Sequence, residues 1–280
     1  MAVITLVGLP GAPGVTSTAL ALLRTWPLED GRRMILAECD PDGGAVLSGA
    51  LQGRMEADRG LRNLAVSTRT QELVNAFWTQ LIALENDDRR NERNRLLLAG
   101  LTEMSQASSL APVWTQLADL FAGIEPGGHD VLVDLGRSGA FGPASVLALR
   151  ADVVLVVMRG TVRGLHNGKS RIAQLRALLD GENGRGSGGL GVLLIRQGPY
   201  GPREVEEETG VPVIAQLPYR PAEAAVLSDG EPEGRQFMNS KLMKAVGDAT
   251  TPIRQRVASR RARLASPLHQ RLRGVSGSAR

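Results

Sequence analysis

"GLPGAPGVTSTALAL", residues 8–22, follows directly on the apolar run Val3–Val7. An apolar run, a turn built of Gly and Pro, and a hydroxyl-rich start to a helix-periodic stretch together predict a strand, a tight loop and a helix. That is the layout of a phosphate-binding loop, where successive backbone N–H groups and a helix N-terminus face an anion. Gly11 and Gly14 leave the backbone free to take that shape, and Thr16 and Ser17 stand at the head of the helix. A loop of this kind ordinarily has a lysine just ahead of its hydroxyl residues. Here that position is Val15, and the chain's three lysines, Lys169, Lys241 and Lys244, lie far from it in sequence.

Further apolar runs bounded by turn residues recur at residues 34–37, 96–101, 131–135, 153–158, 192–195 and 213–217. Several are continuous rather than alternating, as strands buried on both faces of a parallel sheet should be. Helical periodicity fills the gaps. Ala19, Leu22, Leu23 and Trp26 share a stripe that stops at Pro27, and residues 72–84, 112–121 and 164–179 repeat the pattern. Alternating strands and helices predict an α/β fold, a doubly wound and mostly parallel sheet with helices on both faces. Residues 85–95, "ENDDRRNERNR", read as an exposed connection, and residues 180–189, "DGENGRGSGG", as a surface loop.

Composition narrows the function classes. Of the 280 residues, 42% are apolar, sufficient for an ordinary core. One cysteine, Cys39, excludes a disulfide framework, and three scattered histidines argue against a His/Cys metal centre. Met1 to Val7 lacks the basic start of a secretory leader, and no apolar run approaches the roughly 20 residues that span a bilayer. The expectation is a cytoplasmic protein. The net charge of +4 is unevenly placed. Residues 251–280 hold eight arginines and neither lysine nor acid, a charge of +8, so residues 1–250 carry 4 − 8 = −4. This divides the chain into one domain, residues 1–250, and a flexible basic tail, residues 251–280, suited to nucleic acid, acidic lipid or an acidic protein.

In open α/β sheets ligands bind beyond the carboxyl ends of the strands. The predicted strands deliver to that edge the loop Gly8 to Ser17, then Glu38, Asp40 and Asp42 of "AECDPDGG", and Asp134, Gly136 and Arg137 of "DVLVDLGRSG". Arg159 closes "DVVLVVMRG", while Arg196 and Gln197 close "GVLLIRQG". Acids, glycines and arginines in this order predict a polyphosphate and metal site.

With these segments in view, residues 1–250 resemble the ParA/MinD group of deviant P-loop ATPases. The group's loop, K-G-G-x-G-K-[ST]-[ST], corresponds to "PGAPGVTS", with Pro10 and Val15 in place of the two lysines and Gly11, Gly14, Thr16 and Ser17 retained. "ECDPDGG" has Glu38 for the leading acid of D-x-D-P and keeps Asp40-Pro41; "VLVDLG" supplies the Asp134 that closes the switch II strand. "RADVVLVVMRG" and "GPREVEEETGVPVIAQLPYRPAEAAVLSDG" are similar to later units of the group.

The resemblance implies a P-loop NTPase-like fold with ATP or ADP and Mg as cofactors. It implies nucleotide contacts from Gly11, Gly14, Val15, Thr16, Ser17, Arg159 and Arg196. It implies magnesium held by Thr16, Asp40 and Asp134, with Asp40 orienting the attacking water as the catalytic residue. It also implies a homodimer. Valine cannot supply the mobile charge that neutralises phosphate oxygens during transfer, and Pro10 cannot reach a partner's nucleotide. Arg159 or Arg137 would compensate in part. The expected function is therefore that of a degenerate member similar to the Tad-pilus and CpaE-like proteins. Such a protein positions a secretion or pilus ATPase with weak or no nucleotide binding and without efficient hydrolysis, at the membrane periphery or the nucleoid. The alternative is a partitioning ATPase that binds DNA non-specifically through the basic tail. A third reading lays Ile253, Val257, Leu264, Leu268 and Leu272 against a membrane.

Overall fold

The computed structural model describes residues 2–11, 14–54, 58–87 and 92–276. In chain order the elements are β1 (Val3–Val7), α1 (Val15–Thr25), β2 (Arg33–Glu38), α2 (Leu61–Ser67), α3 (Leu73–Gln80), β3 (Leu81–Asp87), β4 (Glu92–Leu98), α4 (Val113–Gly123), β5 (His129–Asp134), α5 (Ser145–Leu149), β6 (Val153–Arg159), α6 (Val162–Asp180), β7 (Leu190–Arg196), α7 (Pro202–Thr209), β8 (Val213–Pro218), α8 (Pro221–Ser228) and α9 (Lys241–Ser276). The strands form one eight-stranded sheet in the order β3-β4-β2-β5-β1-β6-β7-β8, parallel except where β3 runs antiparallel to β4. The doubly wound, mostly parallel α/β architecture predicted from the run pattern is the one present.

Each central strand is buried on both faces, which is why these segments lack polar alternation. Along β1, Val3 and Val7 point into one core while Ile4 and Leu6 point into the other. The first core is covered by α2 to α7, with Phe77, Trp114, Phe121 and Ile172 at its centre. The second is covered by α1, α8 and α9, through Ala19, Leu22, Leu23, Leu227, Val246 and Ile253. At the amino ends of the strands, Asp130 accepts the Ala2 amide at 2.8 Å and Asp152 the Val3 amide at 3.0 Å, so two buried carboxylates fix the start of β1.

Three expectations are corrected. The helix predicted over residues 72–84 ends at Gln80, and Leu81 opens β3, pairing with Leu98 of β4. The exposed connection predicted over residues 85–95 holds the ends of two strands instead, with Glu85 opposite Arg95 and Asp87 opposite Glu92; residues 88–91 lie outside the described residues. β3 is the edge of the sheet, where a charged sequence is compatible with strand pairing and blunts association with another edge.

The third correction concerns the tail. The chain does not loosen at Thr251; α9 continues through it, with Ile253 0% and Val257 4% exposed in the second core and Arg260 7% exposed. Ile253 and Val257 thus meet the sheet rather than a membrane. Residues 277–280 lie outside the described residues. No described helix is long and apolar enough to cross a membrane.

Candidate nucleotide site

β1 ends at Val7, and the chain turns through Gly8 against the end of β5, the Gly8 amide donating to the Gly136 carbonyl at 2.7 Å. Gly8 needs its missing side chain here: a Cβ would lie 2.6 Å from Val15 Cγ2. Gly11 (φ 70°) and Gly14 (φ 110°) both take the left-handed backbone that glycine tolerates. Gly14 caps α1, and its carbonyl accepts the Thr18 amide at 2.9 Å. Ala12 and Pro13 lie outside the described residues. The loop thus leads into a helix of 11 residues whose first-turn amides have no internal acceptor. Asn167 on α6 holds the near side, donating to the Pro10 carbonyl at 3.2 Å.

Val15, at the place of the missing lysine, is 7% exposed and packs inward on Gly8 as part of the second core. Asp134 Oδ1 accepts the Gly136 amide at 2.8 Å, and the Thr16 hydroxyl beside it also favours the charged carboxylate. Burial pushes the Asp134 carboxyl up to about 6 despite both, and Glu38 raises it further. Asp40 is also pushed up to about 6, by burial first and by the charges of Asp134 and Asp42 after it; its Oδ1 accepts the Asp42 amide at 3.0 Å. Asp40 lies so close over Gly136 that a Cβ there would collide with its carboxylate. Among the described residues neither of these neighbouring carboxylates forms an ion pair, and raised carboxylates of this kind are typical of functional sites.

Glu38 has a different task. It is 2% exposed, and its carboxylate accepts the amides of Ala45 (2.8 Å), Val46 (2.9 Å) and Gly100 (3.1 Å). It therefore clamps the chain after β2 to the chain after β4 and is occupied by backbone donors. At the same place Gly44 and Gly100 cross with their backbones touching: a Cβ on Gly44 would lie 2.8 Å from Gly100 Cα.

The arginines expected at this edge divide. Arg159 lines a hollow of about 280 Å³ together with Gly14, Ser17, Ile195 and Tyr219, its guanidinium 5.3 Å from the Tyr219 ring centre. Arg159 also lines a second hollow of about 460 Å³ on the other side of the loop, with Gly11, Arg163 and Gln197. Arg159 Nε and Gln197 Oε1 are buried without a hydrogen-bond partner. Arg137 faces Asp42 at 3.4 Å and lines neither hollow. Arg196 donates to Gln216 at 2.6 Å and lines neither hollow; Ile195, its neighbour, does. Sequence reading missed Arg163, whose side chain would lie 3.7 Å from a Cβ on Gly11. Its signal was available: a basic residue just past Thr161, which caps α6 by accepting the Gly164 amide at 3.1 Å, at the same sheet edge as the loop.

No protein-family model and no curated protein matches the chain. Solved structures do. A ParA family ATPase from Chlorobium tepidum TLS superposes with a TM-score of 0.67 at 16% identity, covering 89% of this chain and 98% of its own. The fold is that of the ParA/MinD ATPases. The cell division ATPase MinD of Pyrococcus furiosus gives 0.62 at 18% identity, covering 91% and 99%. The septum site-determining protein MinD of Pyrococcus horikoshii OT3, solved with Mg-ADP, gives 0.57 at 18% identity, covering 89% and 93%. In the ParA/MinD fold of this chain, the loop, Asp40, Asp134 and Arg159 converge at one edge of the sheet.

The residues present fit an anion better than they fit a metal. The two left-handed glycines, the helix start and the unpartnered Arg159 Nε suit phosphate oxygens. No group of three or more His, Cys, Asp or Glu suited to a metal occurs among the described residues. A divalent cation would lean on Thr16, Asp134, Asp40 and its ligand's own phosphates.

Proposed function

We propose that this chain is a positioning or scaffold protein of ParA/MinD fold that holds a nucleotide weakly and does not hydrolyse it efficiently. The observation that carries this reading is Val15. The residue standing where the loop lysine belongs is built into the core, and α1 therefore starts without a mobile cation. Gly11 and Gly14 would present backbone N–H groups to phosphate oxygens, and Ser17 with Thr16 would hold the helix start. Arg159 at the end of β6 and Arg163 on α6 flank the loop and supply static charge. Thr16 and Asp134 would orient a magnesium ion, and Asp40 a water molecule. A bound ATP–magnesium complex supplies the cleavable anhydride, and the MinD of Pyrococcus horikoshii OT3 was solved with Mg-ADP. Preorganised charge on the leaving phosphate is the largest catalytic contribution in such chemistry, and its absence separates binding from turnover.

In this reading the chain forms a homodimer through the face that bears the loop and guides a partner such as a secretion or pilus ATPase. The reading as a DNA-partitioning ATPase draws less support. Among the tail arginines, Arg254 pairs with Glu29 at 3.4 Å and Arg261 with Asp152 at 2.7 Å, while Arg256 and Arg260 donate to backbone carbonyls of the body. Arg254 and Arg261 are thus paired with carboxylates of the body, and this stretch is part of a packed helix and not a free basic arm.

Calorimetric titration with ATP and MgCl2, paired with a turnover assay, tests the proposal. Wild type is expected to bind weakly and show no turnover above background, and Val15→Lys to tighten binding about tenfold by adding one charge-assisted contact. Tight binding with steady turnover by the wild type would sink it.

A further inference from the structure

The opposite edge of the sheet, at the amino ends of β6 and β7, carries a second concentration of positive charge that the nucleotide reading does not use. Arg185, Arg256, Arg260 and Arg263 line a hollow of about 200 Å³, floored by Gly188 and rimmed by Leu264. Arg185 comes from the loop before β7; the other three come from one face of α9.

This cluster is built into the fold. Arg260 is 7% exposed and donates to the carbonyls of Arg185 (2.7 Å) and Gly186 (2.9 Å). Its head occupies space that only glycines leave: a Cβ on Gly189 would lie 2.9 Å from Arg260 Cζ, and one on Gly188 would lie 3.3 Å from a terminal nitrogen. Arg256 donates to the Leu190 carbonyl at 3.3 Å. After these bonds the cluster keeps an excess of positive charge over the one buried acid it faces, Asp152. Arg256 Nε and Arg260 Nε are both buried without a partner. The acids within reach are spent elsewhere, since Asp152 takes Arg261 on both oxygens (3.1 and 2.7 Å) along with the Val3 amide, and Glu125 takes Arg261 at 3.1 Å. Arg185 reaches Asp152 only at 3.8 Å. Burial comes first in lowering the proton affinity of Arg256 and Arg260; for Arg260 the Asp152 charge opposes it, and the charges of Arg185, Arg256 and Arg263 add to the lowering. Burying like charges together is costly unless an anion neutralises them.

We propose that this hollow is a binding site for a small phosphate-bearing anion, separate from the loop after β1. Arginine forks match phosphate oxygens, and several converging guanidiniums favour a ligand with more than one phosphate or a doubly charged one. A hollow of about 200 Å³ lined by four arginines suits a phosphate chain or a headgroup phosphate. The inference stands whether or not the loop binds nucleotide.

The test uses the full chain and inorganic triphosphate, titrated calorimetrically at low and high salt without magnesium. Saturable binding is expected, weakened about tenfold or more by Arg263→Glu, which replaces an exposed rim residue and leaves the buried bonds of Arg260 in place. A second variant, Arg185→Gln, is expected to weaken binding in the same direction, and circular dichroism melts establish that both remain folded. Vesicles containing a phosphoinositide distinguish the source. Co-sedimentation that Arg263→Glu abolishes assigns the site to a headgroup, whereas triphosphate binding without co-sedimentation assigns it to a free anion. The proposal is overturned if triphosphate does not bind, or if both variants bind it as wild type does, which would place the contact elsewhere. Binding of duplex DNA in the absence of triphosphate binding would equally overturn it.

Discussion

Glu38 Oε1 accepts the Val46 amide at 2.9 Å, tying the end of β2 to a segment eight residues further along. The same carboxylate serves Ala45 and Gly100. Glu38→Ala leaves three backbone donors without their acceptor at a residue 2% exposed. A loss of about 2–4 kcal/mol is expected, read as a fall in urea midpoint at unchanged slope. Glu38→Gln, which keeps one oxygen acceptor, should lose less. Equal stability of Glu38→Ala and wild type would show that the clamp does not hold the fold.

The acidic pair sets a pH dependence. Asp40 and Asp134 are each raised from 3.8 to about 6 by burial. The folded chain then binds protons more tightly than the unfolded chain between about pH 4 and 6, so these groups make stability fall as pH rises through that window and level off above it. Asp134→Asn removes one of the two charges while retaining an oxygen for Thr16. Melting temperature measured from pH 4 to pH 8 should give a flatter profile for the variant, with its largest gain over wild type near neutrality. Parallel profiles would exclude the buried charge as the source.

Gly14 holds φ at 110°, where an L side chain is strained. Gly14→Ala is expected to cost about 1–3 kcal/mol and to lower affinity for ATP or inorganic triphosphate at the loop. Chemical denaturation and titration report the two effects separately; a neutral substitution would mean the loop adopts another shape in solution.

Arg159 is the cation shared by both hollows at the loop. Arg159→Met preserves much of the stem's packing and removes the charge. Nucleotide affinity is expected to drop about tenfold with little change in melting temperature. An unchanged affinity would move the role to Arg163.

Ile253 is fully buried and Arg254, beside it, has a side chain 48% exposed. Ile253→Ala should cost about 2–4 kcal/mol, and Arg254→Ala under about 1. If both were neutral, this stretch of α9 would contribute nothing to the body.

The central sheet was legible because strands buried on two faces leave continuous apolar runs bounded by turn residues and recurring along the chain. β3 was not. Leu73 to Gln80 has true helical periodicity, and Leu81 to Leu84 extends it by coincidence, so only pairing with β4 ends the helix. Edge position then permits a charged sequence that reads as a loop. At the site, the glycines and Thr16 were placed by their spacing, and Asp40 and Asp134 by strand ends. Glu38 was read only as an acid at the strand end, in place of the family's Asp, because sequence cannot show that three amides converge on it. The eight arginines of residues 251–280 suggested a solvated tail, since a count of charges hides which of them bond to carbonyls and carboxylates of the body.

The crossing of Gly44 over Gly100 has a mechanical consequence. With main chain against main chain and no side chain between, there is no rotamer whose flip could absorb a shift of one strand exit relative to the other. A shift of the segment after β2 would therefore press directly on the exit of β4, the strand next to the edge of the sheet.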